Sequence, residues 1–110
     1  MPVLDVDSLA KEMLAAAHGI LKKRWPEVRD YAAQEMKKIA ADIAFIELQV
    51  AAGKMTEDQA RLHLGIQRNA ARTVLLATEG IGLIAAEEAI NAAIKVVAKA
   101  VNTALGFVLL

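Results

Sequence analysis

Thr78-Glu79-Gly80-Ile81-Gly82 decides how this chain folds, because the polar face of the sequence changes sides across it. Before it, at about 100° per residue, Arg61, Arg68, Arg72 and Glu79 fall on one side of a helix, while His63, Ile66, Ala70, Val74, Ala77 and Ile81 fall opposite. After it, a new polar stripe runs through Glu87, Glu88, Asn91, Lys95, Lys99 and Asn102. One straight helix would lay that second stripe over the sector that was apolar before Gly80. Two glycines weaken the helix where the rotation occurs. The reading that follows is a turn at Gly80–Gly82, and its alternative is one long kinked helix that exchanges neighbours there.

Upstream, Thr56-Glu57-Asp58-Gln59 has the form of a capping box, in which the Thr56 hydroxyl and the Gln59 amide satisfy each other's backbone N–H groups. The two acids also suit the positive end of the helix dipole. Gly53 lies just before this start and is placed to end the preceding helix in a left-handed conformation. That preceding helix begins near Pro26, where a missing N–H costs nothing, and buries Val28, Ala32, Met36, Ile39, Ile43, Ile46 and Val50. A first helix, capped by Asp7 or Ser8, carries Leu9, Ala10, Met13, Leu14, Ala17, Ile20 and Leu21 on one stripe. Lys22, Lys23 and Arg24 crowd its last turn, where cations suit the dipole. The expectation is an all-α antiparallel bundle of about four helices in a single domain. The helices are placed near 8–24, 26–52, 57–79 and 82–105, followed by an apolar tail at 106–110.

Composition agrees with this reading. Hydrophobic residues make up 56% of the 110 and aromatics only 4%, so the apolar content is mostly Ala, Leu, Ile and Val. Such sequences favour helix, because Ala loses no side-chain entropy there. No cysteine is present, which excludes disulfide scaffolds, thiolate metal sites and cysteine nucleophiles. Thirteen basic residues balance thirteen acidic ones. A neutral chain projects no long-range field to gather polyanions, so nucleic acid is not an expected partner.

The fourth helix is apolar around most of its circumference, which calls for burial on several sides. The sequence alone assigns Val96, Val97, Val101, Leu105, Phe107, Val108, Leu109 and Leu110 to surplus apolar surface. Burying even 400 Å² of it is worth roughly 10 kcal/mol before association costs. The leading expectation is therefore a structural or interaction protein, a homo-oligomer that buries its C-terminal helix in copies of itself. A second reading inserts or lays the last two helices in lipid, helped by the small residues Ala85, Ala89, Ala92, Ala93 and Ala100. Against a simple span, charges at Glu79, Glu87, Glu88, Lys95 and Lys99 interrupt the C-terminal half, and a crossing needs about 20 mostly apolar residues. The acid-bearing N-terminus does not resemble an export signal, so cytoplasmic placement is the default expectation and membrane association the alternative.

A third reading concerns metal. Glu35 and Asp42 lie a heptad apart at the edge of the second helix's apolar face, Glu47 flanks the other edge, and His63 lies on the apolar face of the third helix. Carboxylates and a histidine facing inward can hold iron, manganese or zinc in a bundle. The Glu-x-x-His pair such sites use is missing, since neither His18 nor His63 has an acid three residues before it. The plainer assignment makes Glu35 and Asp42 boundary residues paired with lysines, and His63 a core histidine bonded to a carbonyl. Arg61, Arg68 and Arg72 could hold an anion, but such a row is ordinarily the solvated face of an amphipathic helix. Lys22-Lys23-Arg24-Trp25 could touch nucleic acid or anionic lipid, although helix-end complementarity already explains its cations. No nucleophile–base pair is visible, and Gly80-Ile81-Gly82 lacks the third glycine and lysine of a phosphate loop. Neither an enzyme, a cofactor nor a small-molecule substrate is expected.

Overall fold

The computed structural model describes residues 3–110. Four α-helices, α1 (Val6–Leu21), α2 (Trp25–Ala51), α3 (Glu57–Leu76) and α4 (Leu83–Leu105), follow one another, with a 3₁₀ turn at Lys22–Arg24 between the first two. The described residues contain no strand. The chain is thus all-α and a helical bundle, as the periodicity indicated.

Local chemistry explains most of the boundaries. The α1 cap is Asp5 rather than Asp7 or Ser8: its Oδ2 accepts the Ser8 N–H at 3.1 Å and the Ser8 hydroxyl at 2.7 Å. Those two bonds hold the Asp5 carboxyl below its ordinary pKa. α1 stops at Leu21 instead of Arg24, because Lys22–Arg24 tighten into the 3₁₀ turn that lets α2 begin at Trp25, with Pro26 in its first turn. At the other end of α2, Gly53 (φ 72°) donates to the Val50 carbonyl while Lys54 donates to that of Gln49, a Schellman closure of the helix. The capping box at Thr56 forms in both directions, with Gln59 N–H to Thr56 Oγ1 at 3.1 Å and Thr56 N–H to Gln59 Oε1 at 2.9 Å.

The polar switch at 78–82 is a turn. α3 ends at Leu76 rather than Glu79, and α4 returns antiparallel beside it, bringing Arg72 to Glu87 and Arg68 to Asn91. Gly80 needs its left-handed φ of 87°, and the Arg24 guanidinium occupies the space a β-carbon would take there.

The packing accounts for the greasiness of α4. It makes its most extensive contact with α1 and also touches α3 and α2, whereas α1 and α3 sit on opposite corners without close backbone contact. A helix with three neighbours needs apolar residues around most of its perimeter, and Ala86, Ala89, Ile90, Ala93, Ile94, Val97 and Val101 are all buried. The tail then folds back. Gly106 turns the chain left-handed, and the Asn102 amide oxygen accepts the N–H groups of Leu109 and Leu110 at 2.9 and 3.0 Å while its nitrogen donates to the Leu110 carbonyl. This corrects the assignment of surplus surface. Val97, Val101 and Leu109 are core residues of their own chain, and Leu105, Phe107 and Leu110 pack partly against it. Only Val96 and Val108 of that set are substantially exposed.

Candidate interaction surface

The unburied apolar surface lies elsewhere, on the outer side of the α2–α3 hairpin. α3 carries two apolar stripes, and only one can face the core. The buried stripe is Ala60, Leu64, Ala71 and Leu75. The other, at the same three-to-four residue spacing, is Leu62, Ile66, Ala70, Val74 and Ala77, and all but half-buried Val74 are exposed. The apolar face expected from the sequence, centred on His63 and Ile66, is thus displaced from the core by about one residue's rotation. Leu62 is 70% and Ile66 59% exposed. From α2, exposed Phe45 and Tyr31 extend the same side of the molecule, whereas exposed Leu48 lies in a hollow with Val3, Ala104 and Leu105. Phe45 stands over His63 with ring centroids 5.7 Å apart. Tyr31 joins Val74 and Ala77 in a shallow surface hollow.

The four candidate metal ligands are separated, and among the described residues no group of three or more His, Asp or Glu side chains could hold an ion. Glu35 is buried and pairs with Lys38 on its own helix at 3.1 Å. Glu47 is also buried and accepts the backbone N–H groups of Val3 and Leu4 at 3.0–3.2 Å, clamping the segment that leads into α1. Asp42 and His63 alone come together, Oδ1 and Nδ1 lying 2.6 Å apart. The lysine partner expected for Glu35 is present; the one expected for Asp42 is replaced by His63, since the α2–α3 register places the imidazole directly over it. His63 is half-exposed at the surface rather than a core histidine on a carbonyl.

The contact between Asp42 Oδ1 and His63 Nδ1 is short but poorly aimed, so His63 Nδ1 has no well-directed hydrogen bond, and the other carboxyl oxygen, Asp42 Oδ2, has no hydrogen-bond partner among the described residues. Burial pushes the Asp42 carboxyl above its ordinary pKa, and His63 pulls it part of the way back. A buried carboxylate with one partner is costly. It leaves a charge-sensitive spot under the apolar face.

The arginine row lies on a largely exposed face, as expected, and each arginine also bonds across to α4 or the tail. Arg68 donates to Asn91 Oδ1 at 2.9 Å, Arg72 to Glu87 Oε1 at 3.2 Å, and Arg61 to the Val108 carbonyl at 3.1 Å while lying 5.6 Å from the Phe107 ring centre. The stripe Glu87–Asn91 of α4 is the other half of this polar seam. Between the helices, Gly65, Arg68, Asn69, Arg72, Glu87, Ile90 and Asn91 enclose a shallow groove of about 310 Å³.

Phe45 and Leu62 of this surface were not singled out from the sequence. Their signal was present: Phe45 falls outside the Val28–Val50 stripe of α2, and α3 offers more apolar positions than one contact face requires. No family of known proteins, individually described protein or solved structure matches the chain. Among the described residues, no helix is long and apolar enough to cross a membrane.

Proposed function

We propose that this is a structural or interaction protein that self-associates through the outer face of α2 and α3. The observation that carries the reading is the exposed second stripe of α3, Leu62, Ile66 and Ala70, flanked by Phe45 and Tyr31 of α2. At about 200 Å² per fully exposed large side chain, Tyr31, Phe45, Leu62 and Ile66 leave roughly 450 Å² of surface wet. That lies within the range of the largest patch on an ordinary monomer, about 300–600 Å², which is often a functional surface. Two copies joined there would hide about 900 Å² from these side chains alone, and the rim around them would bring the total to the size of a specific interface, about 1,200–2,000 Å². A formal net charge of zero offers no long-range repulsion between copies.

The second copy is the favoured occupant because the patch is available to itself under a two-fold axis, with the same residues meeting on both sides. Light scattering coupled to size exclusion, at tens of micromolar and without detergent, tests the reading. A mass of two or more chains supports it; a monodisperse mass of 11.8 kDa across the range removes it.

A further inference from the structure

At the end of the bundle where α1 gives way to α2 and α3 to α4, three features coincide that the α2–α3 face does not involve. Lys22, Lys23 and Arg24 are consecutive and exposed on the 3₁₀ turn, and among the described residues no carboxylate forms an ion pair with them. Leu83 and Ile84 open α4 at the same end, and Ile84 is 74% exposed, while Ile20 of α1 is exposed beside Ile81 and Ala85. Between these cations and α4 lies an apolar-floored groove lined by Ile20, Leu21, Gly80, Ile81 and Ala85 and rimmed by Lys22, Lys23 and Arg24.

We propose that this end of the bundle docks on an anionic lipid surface, Lys22, Lys23 and Arg24 meeting the headgroups while Ile84, Leu83 and Ile20 enter the boundary with the acyl chains. Charge decides among occupants. A second copy placed end to end would set the same cation triplet against itself. A nucleic acid would engage the cations but leave Ile84 and Leu83 in water. An anionic bilayer accepts both halves, negative charge at headgroup depth and an apolar layer just beneath it. Glu27 in the first turn of α2 and Glu79 in the α3–α4 loop lie at the same end, so the attraction is moderate and salt-sensitive. The docking leaves the four helices folded and requires none of them to cross the bilayer. Trp25 is not part of it, because its ring is half-buried and stacked on His18 with centroids 4.2 Å apart.

Cosedimentation of the full chain with vesicles tests this, using phosphatidylcholine alone and phosphatidylcholine with about one third phosphatidylserine. The expected result is binding to the anionic vesicles, little to the neutral ones, and release as salt is raised. Each of Lys22→Ser and Lys23→Ser lowers the partition coefficient about fivefold. Ile84→Asp abolishes binding while leaving the helical circular dichroism intact, since the residue lies outside the core. Failure to sediment with the anionic vesicles overturns the proposal, as does equal binding to both vesicle types. Binding unaffected by Ile84→Asp also overturns it. Retention by duplex DNA that depends on the lysines but not on Ile84, without vesicle binding, assigns the cations to nucleic acid and overturns it as well.

Discussion

Val96 and Val97 are neighbours of the same type on the same helix, yet one is 52% and the other 1% exposed. Truncating each to alanine separates the packing role of α4 from its sequence-level greasiness. For Val97→Ala, two buried carbons at about 0.8 kcal/mol each give ~1.6 kcal/mol of lost transfer energy. A cavity of roughly 40 Å³ at about 24 cal/mol per Å³ adds ~1 kcal/mol. The better helix propensity of alanine returns about 0.5 kcal/mol, which leaves a net cost of about 2 kcal/mol. For Val96→Ala about half the transfer energy is lost, no cavity opens, and the same propensity gain nearly cancels it, so the change is within ~0.5 kcal/mol of zero. Urea and thermal unfolding followed at 222 nm measure both. In a domain of this size Val97→Ala lowers Tm by about 8–10 °C, and Val96→Ala leaves it nearly unchanged. Equal effects of the two substitutions, or a harmless Val97→Ala, would refute the placement of α4 in its own chain's core.

Two further outcomes follow from the side-chain contacts. Asn102→Ala removes three hydrogen bonds that hold residues 109 and 110 against α4; stability falls by about 1–2 kcal/mol, and limited proteolysis cuts after Gly106 where the wild type resists. A variant as resistant as wild type contradicts the clamp. Burial raises the folded-state pKa of Asp42, so its contribution is most favourable when the carboxyl is protonated and is lost as pH rises through that raised value. Asp42→Asn stays neutral, and its stability relative to wild type therefore increases as pH climbs from about 4 toward neutrality. Melting curves of both proteins over that range check the sign, and a gap that narrows with pH means the His63 attraction outweighs burial.

Much of the fold was legible because its signals are local. The Thr56–Gln59 box, Gly53, and the α1 and α2 stripes each depend on residues within a few positions of one another, and each was found where expected, except that Ile20 of the α1 stripe is exposed at the helix end. The turn at Gly80 was legible from a rotation of polar faces. Apart from the α1 cap, errors arose where the deciding partner was distant in sequence. Asp5 captured the α1 cap from Asp7 and Ser8, a competition within one turn that spacing alone does not rank. The all-round apolarity of α4 correctly indicated several neighbours, but periodicity could not say that these were α1, α2 and α3 of the same chain. Asn102 was visible only as one member of a polar stripe, since its role depends on the tail reversing at Gly106. α3 shows the limit most clearly. Its two apolar stripes are equivalent by pattern, and the choice between Leu64–Leu75 and Ile66–Val74 is made by α2 and α4. For the same reason Glu35, Asp42, Glu47 and His63 looked convergent when each had a separate partner: Lys38 for Glu35, the Asp42–His63 pair, and the backbone of Val3 and Leu4 for Glu47.

Glutamate substituted at two exposed apolar positions, Ile66 on α3 and Val96 on α4, followed by solution mass from light scattering, tests most directly where the unburied surface acts. Ile66→Glu reduces the assembly to 11.8 kDa monomers that keep their helical content, and Val96→Glu leaves the assembly at wild-type mass. Dissociation by Val96→Glu with Ile66→Glu still assembled would move the interface to α4 and contradict the α2–α3 face.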